Sequence, residues 1–317
     1  MITTRIARRA LGAATLVVGL LGSTMALPAH AGVTITGAGS TWSSIAVTQW
    51  AADVARQGLS VNFQPNGSTA GRVFYYSSQV DFAVSEIPFQ DNYCDATGTA
   101  CTNELGFAAR RPYVYMPIVA GGTSFMYNLV INGKRFTDLR LAPDALAKIF
   151  TGVITRWNDP AIAADNPGVP LPALAIKPVI RSDGSGTSAQ FTAFMASQTP
   201  AVWNAFCAKV GLSPCRATSL YPEFDGSVAQ QFSDGVAAFV AAPYNNGAIT
   251  YVEYGYAKQR SFPVASMLNA AGYYTQPTPQ AVAIALQGAR LNPDRTQVLD
   301  GVYRNPDART YPVSSYS

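Results

Sequence analysis

Three short turns rich in Gly, Ser and Thr most constrain the fold: Gly39-Ser40-Thr41, Asn66-Gly67-Ser68-Thr69 and Gly184-Ser185-Gly186-Thr187. Each stands between an apolar, β-rich run and a stretch of helical spacing. Chains that repeat strand, turn and helix build parallel sheets flanked by helices, because a parallel neighbour is reached only by a crossover. Before the first turn lies Val33-Thr34-Ile35-Thr36, and after it Val47, Trp50, Ala51 and Val54 recur at helical spacing until Gly58 ends the helix. Leu59 to Phe63 reads as a second strand, a short helix follows the second turn, and Val80 to Val84 reads as a third strand. Asp91 to Arg111 has little periodicity and reads as an inserted loop. Tyr113 to Val119 and Ser124 to Ile131 are apolar, β-rich runs on either side of Gly121-Gly122, where the chain is expected to cross into a second lobe. Beyond, Leu146, Ile149 and Phe150 have helical spacing, and the Pro/Asn-rich stretch from Asn158 to Pro172 reads as a long loop. A strand from Ile176 to Ile180 runs into the third turn, and Phe191, Phe194 and Met195 place a helix after it.

The first 31 residues read as an export leader rather than as part of the fold. Arg5, Arg8 and Arg9 precede an apolar run from Ala10 to Leu27 that ends in Ala29-His30-Ala31, a small-residue cleavage pattern. General secretion is the expected route, since the residues around Arg8-Arg9 match a twin-arginine signal poorly, and no cysteine follows the run to carry a lipid anchor. Three of the 22 Lys and Arg and none of the 18 Asp and Glu lie in this leader, leaving 19 cations against 18 anions. With no basic run elsewhere, nucleic-acid binding has no support. The remaining length exceeds what one small core holds, so two lobes are expected.

The four cysteines form two close pairs, Cys94 with Cys101 and Cys207 with Cys215. In an oxidising compartment each pair would staple a short loop, worth about 2–3 kcal/mol. Neither pair has the two-residue gap of a zinc knuckle, and no metal or other cofactor is expected. The one histidine, His30, leaves with the leader, which excludes Ser-His-Asp hydrolases, Cys-His proteases and His-ligated metal centres. The third turn lacks the Gly-Lys-Ser/Thr ending of a nucleotide-binding loop, and Ser185 lacks the glycine spacing of a nucleophile elbow. No catalytic residue is expected. Any single Ser/Thr turn is ordinarily a helix cap. Three of them at the carboxyl ends of strands, one preceded by Arg181, point instead to a converging oxyanion site, because helix N-termini present unpaired N–H groups and a partial positive charge.

The runs GAGSTW (Gly37 to Trp42), NGSTAG (Asn66 to Gly71), VDFAVSEIPF (Val80 to Phe89), IFTGVITRWNDPAIAADNPG (Ile149 to Gly168), RSDGSGTSAQFT (Arg181 to Thr192) and GAITYVEYGYAKQ (Gly247 to Gln259) resemble the phosphate-binding proteins of high-affinity phosphate ABC transporters. The resemblance spans nearly all of the chain after the leader. It implies a two-lobed α/β fold of the type II periplasmic-binding-protein kind, with inorganic phosphate held in the cleft and passed to an ABC permease. It also implies an exported, monomeric protein that is periplasmic, wall-associated or extracellular. On that pattern the leader covers residues 1–31, the first lobe 32–115 and the second 116–313, while 314–317 begins a return segment to the first lobe that is cut short at Ser317. The first lobe is therefore expected to be the less stable half.

Carried over by motif, the resemblance implies phosphate contacts from Thr41, Trp42, Ser68, Glu86, Arg181, Ser185, Gly186 and Thr187, with Asp183 pairing with Arg181 and holding its fork. At Trp42, where the family usually has phenylalanine, the contact implied is the backbone N–H. Where the family has aspartate this chain has Glu86, an acceptor-only carboxylate one methylene longer, which would take the proton of hydrogen phosphate and repel sulfate. Two other readings stay open: a secreted anion-binding or surface interaction module that keeps the fold without transport, and a secreted phosphatase, for which the chain shows no metal or nucleophile set.

Overall fold

The computed structural model describes residues 33–94 and 101–317; the leader lies outside the described residues. The chain begins with β1 (Thr34–Gly39), α1 (Ser44–Ala55), β2 (Ser60–Gln64), α2 (Ser68–Tyr76) and β3 (Phe82–Val84). These strands form one parallel sheet in the order β2-β1-β3, with Ile35 opposite Val61 and Ala38 opposite Ala83. The centre strand comes first in sequence, so α1 and α2 cross over to its two sides and the carboxyl ends of β1 and β3 lie together.

A two-residue hairpin, β4 (Tyr93–Cys94) and β5 (Cys101–Thr102), and a short α3 (Glu104–Ala108) follow. Among the described residues, the segment read as a loop thus contains regular structure. Its anchor is Glu104, fully buried, whose carboxylate takes the Arg72 Nε–H of α2 at 2.9 Å and the Gln90 N–H at 3.0 Å. The Cys94–Cys101 disulfide closes the hairpin.

The second sheet starts with β6 (Ala120–Tyr127), which runs through the Gly121-Gly122 pair instead of breaking there. A Cβ on Gly121 would come within 2.7 Å of the Trp42 indole, so the glycine serves close packing rather than a turn. Residues 112–119 form no strand, against expectation. The hairpin β7 (Val130–Ile131) and β8 (Lys134–Arg135), then β9 (Arg140–Leu141) and α4 (Pro143–Phe150), lead into the Pro/Asn-rich stretch. That stretch contains α5 (Pro160–Asp165), whose N-cap Asp159 accepts the Ala161 N–H at 2.9 Å, with proline at the first helical position.

The remaining elements are β10 (Lys177–Arg181), α6 (Gly186–Gln198), α7 (Pro200–Val210), β11 (Val228–Gln230), α8 (Phe232–Ala241), β12 (Ala248–Glu253), α9 (Tyr254–Gln259), β13 (Ser266–Leu268), β14 (Tyr274–Thr275), α10 (Pro279–Leu286), β15 (Arg290–Leu291), β16 (Gln297–Val298), α11 (Asp300–Tyr303) and β17 (Ser314–Tyr316). The five-stranded sheet has the order β11-β10-β12-β6-β17; β10 is parallel to β11 and β12, while β6 is antiparallel to both its neighbours. β17 thus adds to the edge of this sheet, and the Ser317 carbonyl accepts the Ile118 N–H at 2.9 Å. Cys207–Cys215 closes the loop after α7. Phe125, Phe150, Phe191 and Tyr251, all fully buried, form the centre of the core.

Candidate anion-binding site

The carboxyl ends of β1, β3 and β10 and the N-termini of α2, α6 and α8 meet in one cleft between the two sheets. Direct hydrogen bonds cross it: Thr69 N–H to the Gly184 carbonyl at 3.1 Å, Gly186 N–H to Ser68 Oγ at 3.1 Å, and Gln190 Nε2 to the Glu86 carbonyl at 2.8 Å. The Tyr256 hydroxyl donates to the Thr41 carbonyl at 2.6 Å. The sequence placed the turns at strand ends; the structure brings all three together.

From the second lobe, Arg181 ends β10 and is 2% exposed. Its Nε donates to Asp183 Oδ1 at 2.7 Å and its Nη2 to Oδ2, the two-pronged pairing implied for Asp183. Asp183 Oδ1 also accepts the Phe232 N–H at 2.8 Å. Phe232 has φ of 63°, a left-handed conformation costly for a bulky side chain, and this bond holds it there at the start of α8. The next residue, Ser233, is fully buried; its Oγ takes Arg181 Nη1–H at 3.2 Å and lies 2.8 Å from Thr41 Oγ1 of the first lobe. Arg181 is thereby oriented from both sides. Tyr251 braces the strand end, its hydroxyl accepting the Arg181 N–H at 3.0 Å, and burial pushes that hydroxyl's pKa up.

Ser185 caps α6, accepting the Ser188 N–H at 3.2 Å. Gly186 and Thr187 open the helix, and Thr187 Oγ1 is buried with no hydrogen-bond partner. An orphaned buried hydroxyl at a helix N-terminus is a donor held ready for an acceptor.

From the first lobe, Glu86 is 3% exposed, accepting hydrogen bonds from Ser68 Oγ at 2.6 Å and from Ser40 Oγ. A Cβ on Gly186 would overlap Glu86 Oε2, so only glycine admits the carboxylate to the start of α6. Trp42 is buried, and its N–H, implied as an anion contact, donates to Ser40 Oγ at 3.1 Å. Sequence reasoning left out Ser40, Ser233 and Gln190. Ser40 and Gln190 stand inside recognised motifs, GAGSTW and RSDGSGTSAQFT, while Ser233 has no local signal; the partners of Ser233 and Gln190 lie 192 and 104 positions away.

A family model described as PBP superfamily domain matches residues 26–317. The phosphate-binding protein PstS of Pasteurella multocida is 34% identical over 275 residues, covering 86% of this chain and 71% of that protein. The chain belongs to the phosphate-binding protein family. The PstS protein of Xylella fastidiosa, strain Temecula1, is 35% identical over 260 residues; the match covers 81% of this chain and 63% of that protein, so the chain spans less than two thirds of this relative's length. Among solved structures, a high-affinity periplasmic phosphate-binding protein bound with phosphate superposes with a TM-score of 0.62 at 20% identity, covering 90% of this chain and 79% of the other. The phosphate-binding protein of Stenotrophomonas maltophilia gives 0.56 at 19%, covering 90% and 77%. These likenesses establish the family's type II periplasmic-binding-protein fold for this chain. No helix among the described residues is long and apolar enough to cross a membrane.

Proposed function

We infer that this protein binds inorganic phosphate outside the cytoplasmic membrane and presents it to an ABC permease, acting as an exported binding protein and not as an enzyme. The observation that carries the reading is a buried Arg181, oriented by Asp183 and Ser233 at the end of β10, followed in the same turn by the partnerless Thr187 hydroxyl at the N-terminus of α6. A guanidinium, helix-end amides and neutral hydroxyls are the donors that hold a desolvated oxyanion, each charge-assisted bond being worth about 1.5–3 kcal/mol. Thr41, Trp42, Ser68, Ser185 and Gly186 supply the remaining donors, and Asp183 holds the arginine. Glu86 accepts the proton of hydrogen phosphate, which sulfate lacks at neutral pH.

Equilibrium dialysis of the purified chain with labelled phosphate, competed by unlabelled phosphate or sulfate, tests this. Phosphate is expected to bind and sulfate to compete at least about tenfold more weakly, the equivalent of one charge-assisted contact. The Glu86→Gln variant should bring the two competitors closer together. Sulfate displacing the label as readily as phosphate would remove the selectivity, and absence of binding would remove the function.

A further inference from the structure

The Glu86 carboxylate already does what an incoming oxyanion would do. Its Oε2 accepts the Ser68 hydroxyl at 2.6 Å, and Ser68 Oγ accepts the Gly186 N–H, at the start of α6, at 3.1 Å. Its Oε1 accepts the Ser40 hydroxyl, and Ser40 Oγ accepts the Trp42 N–H at 3.1 Å. Two backbone amides, one from each lobe, therefore end on the two oxygens of a single buried carboxylate, each through one serine. A hydroxyl has one proton to give, so Ser40 and Ser68 cannot donate to Glu86 and to a ligand oxygen together. Two anions close together in a buried site also repel unless a proton lies between them.

Building on the phosphate-binding reading, we propose that Glu86 is a tethered competitor that sets the affinity of the site. Its carboxylate gathers the Ser40 and Ser68 hydroxyls and, through them, the Trp42 and Gly186 amides, and a ligand binds only as it displaces the carboxylate from these donors. Gly186 is what lets the competitor reach: any side chain there would overlap Oε2. The reach depends on side-chain length. Aspartate at position 86 would draw the carboxylate back by about 1.5 Å, one C–C bond, away from the start of α6.

The test is direct binding of inorganic phosphate, by titration calorimetry at neutral pH, to the full chain, the Glu86→Asp variant and the Ser40→Ala variant. Glu86→Asp is expected to bind at least about fivefold tighter than the parent, the order of one hydrogen bond regained by the ligand. Ser40→Ala is expected to bind tighter as well, because it unfastens Oε1 and frees the Trp42 N–H; a serine with a merely structural role would give equal or weaker binding. Binding by Glu86→Asp where the parent shows none would also support the proposal. If the parent binds phosphate and both variants bind it equally or more weakly, the competitor role is overturned while the phosphate reading stands. If none of the three binds, both fall.

Discussion

The two lobes contribute comparable numbers of site residues but very different amounts of core. Among the described residues, both buried hydrophobic clusters are built from residues between Phe125 and Val313. Strand β6 is buried over its last six residues and β12 over its first five, whereas β2 alternates exposed and half-buried positions throughout. The first sheet stops at three strands. Beyond β3, an apolar groove of about 630 Å³ opens between residues 82–89 and 112–118, where Val114 is 85% and Met116 66% exposed. An unpaired strand edge beside apolar surface adds little stability and invites association. The second lobe therefore folds around its own core. The first has a smaller apolar interior, around Val84 and Phe89, together with the buried Arg72–Glu104 pair, and it also bonds to the second across the cleft, so it is expected to be the less stable half.

The largest test of that contrast is Phe191→Ala. Phe191 is fully buried, with its ring centroid 5.1 Å from those of Phe150 and Tyr251 and 5.2 Å from that of Phe125. Removing it is expected to cost about 3–5 kcal/mol in denaturant unfolding and to loosen both lobes together. In the unmodified protein, by contrast, amide exchange should reach β1, β2 and β3 well before β10 and β12. Equal protection of the two sheets would break the comparison.

A smaller effect separates docking from core. Arg181 and Asp183 have side chains only 2% and 9% exposed, and Asp183 also holds Phe232. Asp183→Ala leaves a buried guanidinium unpaired, at a cost of about 3 kcal/mol. Adding Arg181→Met to that variant should restore much of the loss while leaving phosphate binding abolished. Chemical denaturation and dialysis together read both outcomes. A double variant no more stable than Asp183→Ala would show that the pair is not what holds this corner of the second lobe.

How much of this was legible in sequence follows the range of the interactions. The succession of strand, helix, strand, helix and strand in the first sheet and the helix after Gly184-Ser185-Gly186-Thr187 rest on local pattern, and they stand within a few residues of expectation. Trp50, which recurs at helical spacing with Val47, Ala51 and Val54, is nevertheless 44% exposed; α1 docks on the second lobe through its first turn, where Ser44 Oγ lies 2.7 Å from the Tyr256 hydroxyl and Ile45 packs beside it. In α5, the Asp159-Pro160 cap was present but outweighed by the surrounding prolines and asparagines. Residues 113–119 have strand composition, but only Ile118 and Val119 meet backbone partners there, both at Ser317, so composition overstated the strand. Within the site, the Arg181–Asp183 pair is the one contact that the family resemblance implied and the structure forms, between residues two positions apart. The serine bridges from Glu86 to Trp42 and Gly186 were not, since they depend on how β1, β3 and β10 come together.

The smallest expected effect lies at the seam itself. Glu253 ends β12 and caps α9, accepting the Gly255 N–H at 2.7 Å, and burial pushes its pKa up to about 7 from an ordinary 4.5. Close by, Ile45 of the first lobe packs against the cluster containing Tyr256. The folded state thus holds the Glu253 proton more tightly than the unfolded chain does. Its contribution to stability is complete below about pH 4.5 and is lost as pH rises through about 7, by about 2 kcal/mol once its partial exposure is allowed for. Other carboxylates impose the opposite trend, so the informative quantity is the difference between the parent and Glu253→Gln, which keeps an acceptor for Gly255 but cannot ionise. The parent should lose stability relative to the variant between pH 5 and pH 8, with amide exchange in α1 and α9 rising first if the seam yields before either core. A pH-independent difference between the two proteins would mean that Glu253 is ionised throughout and that the seam carries no proton-linked weakness.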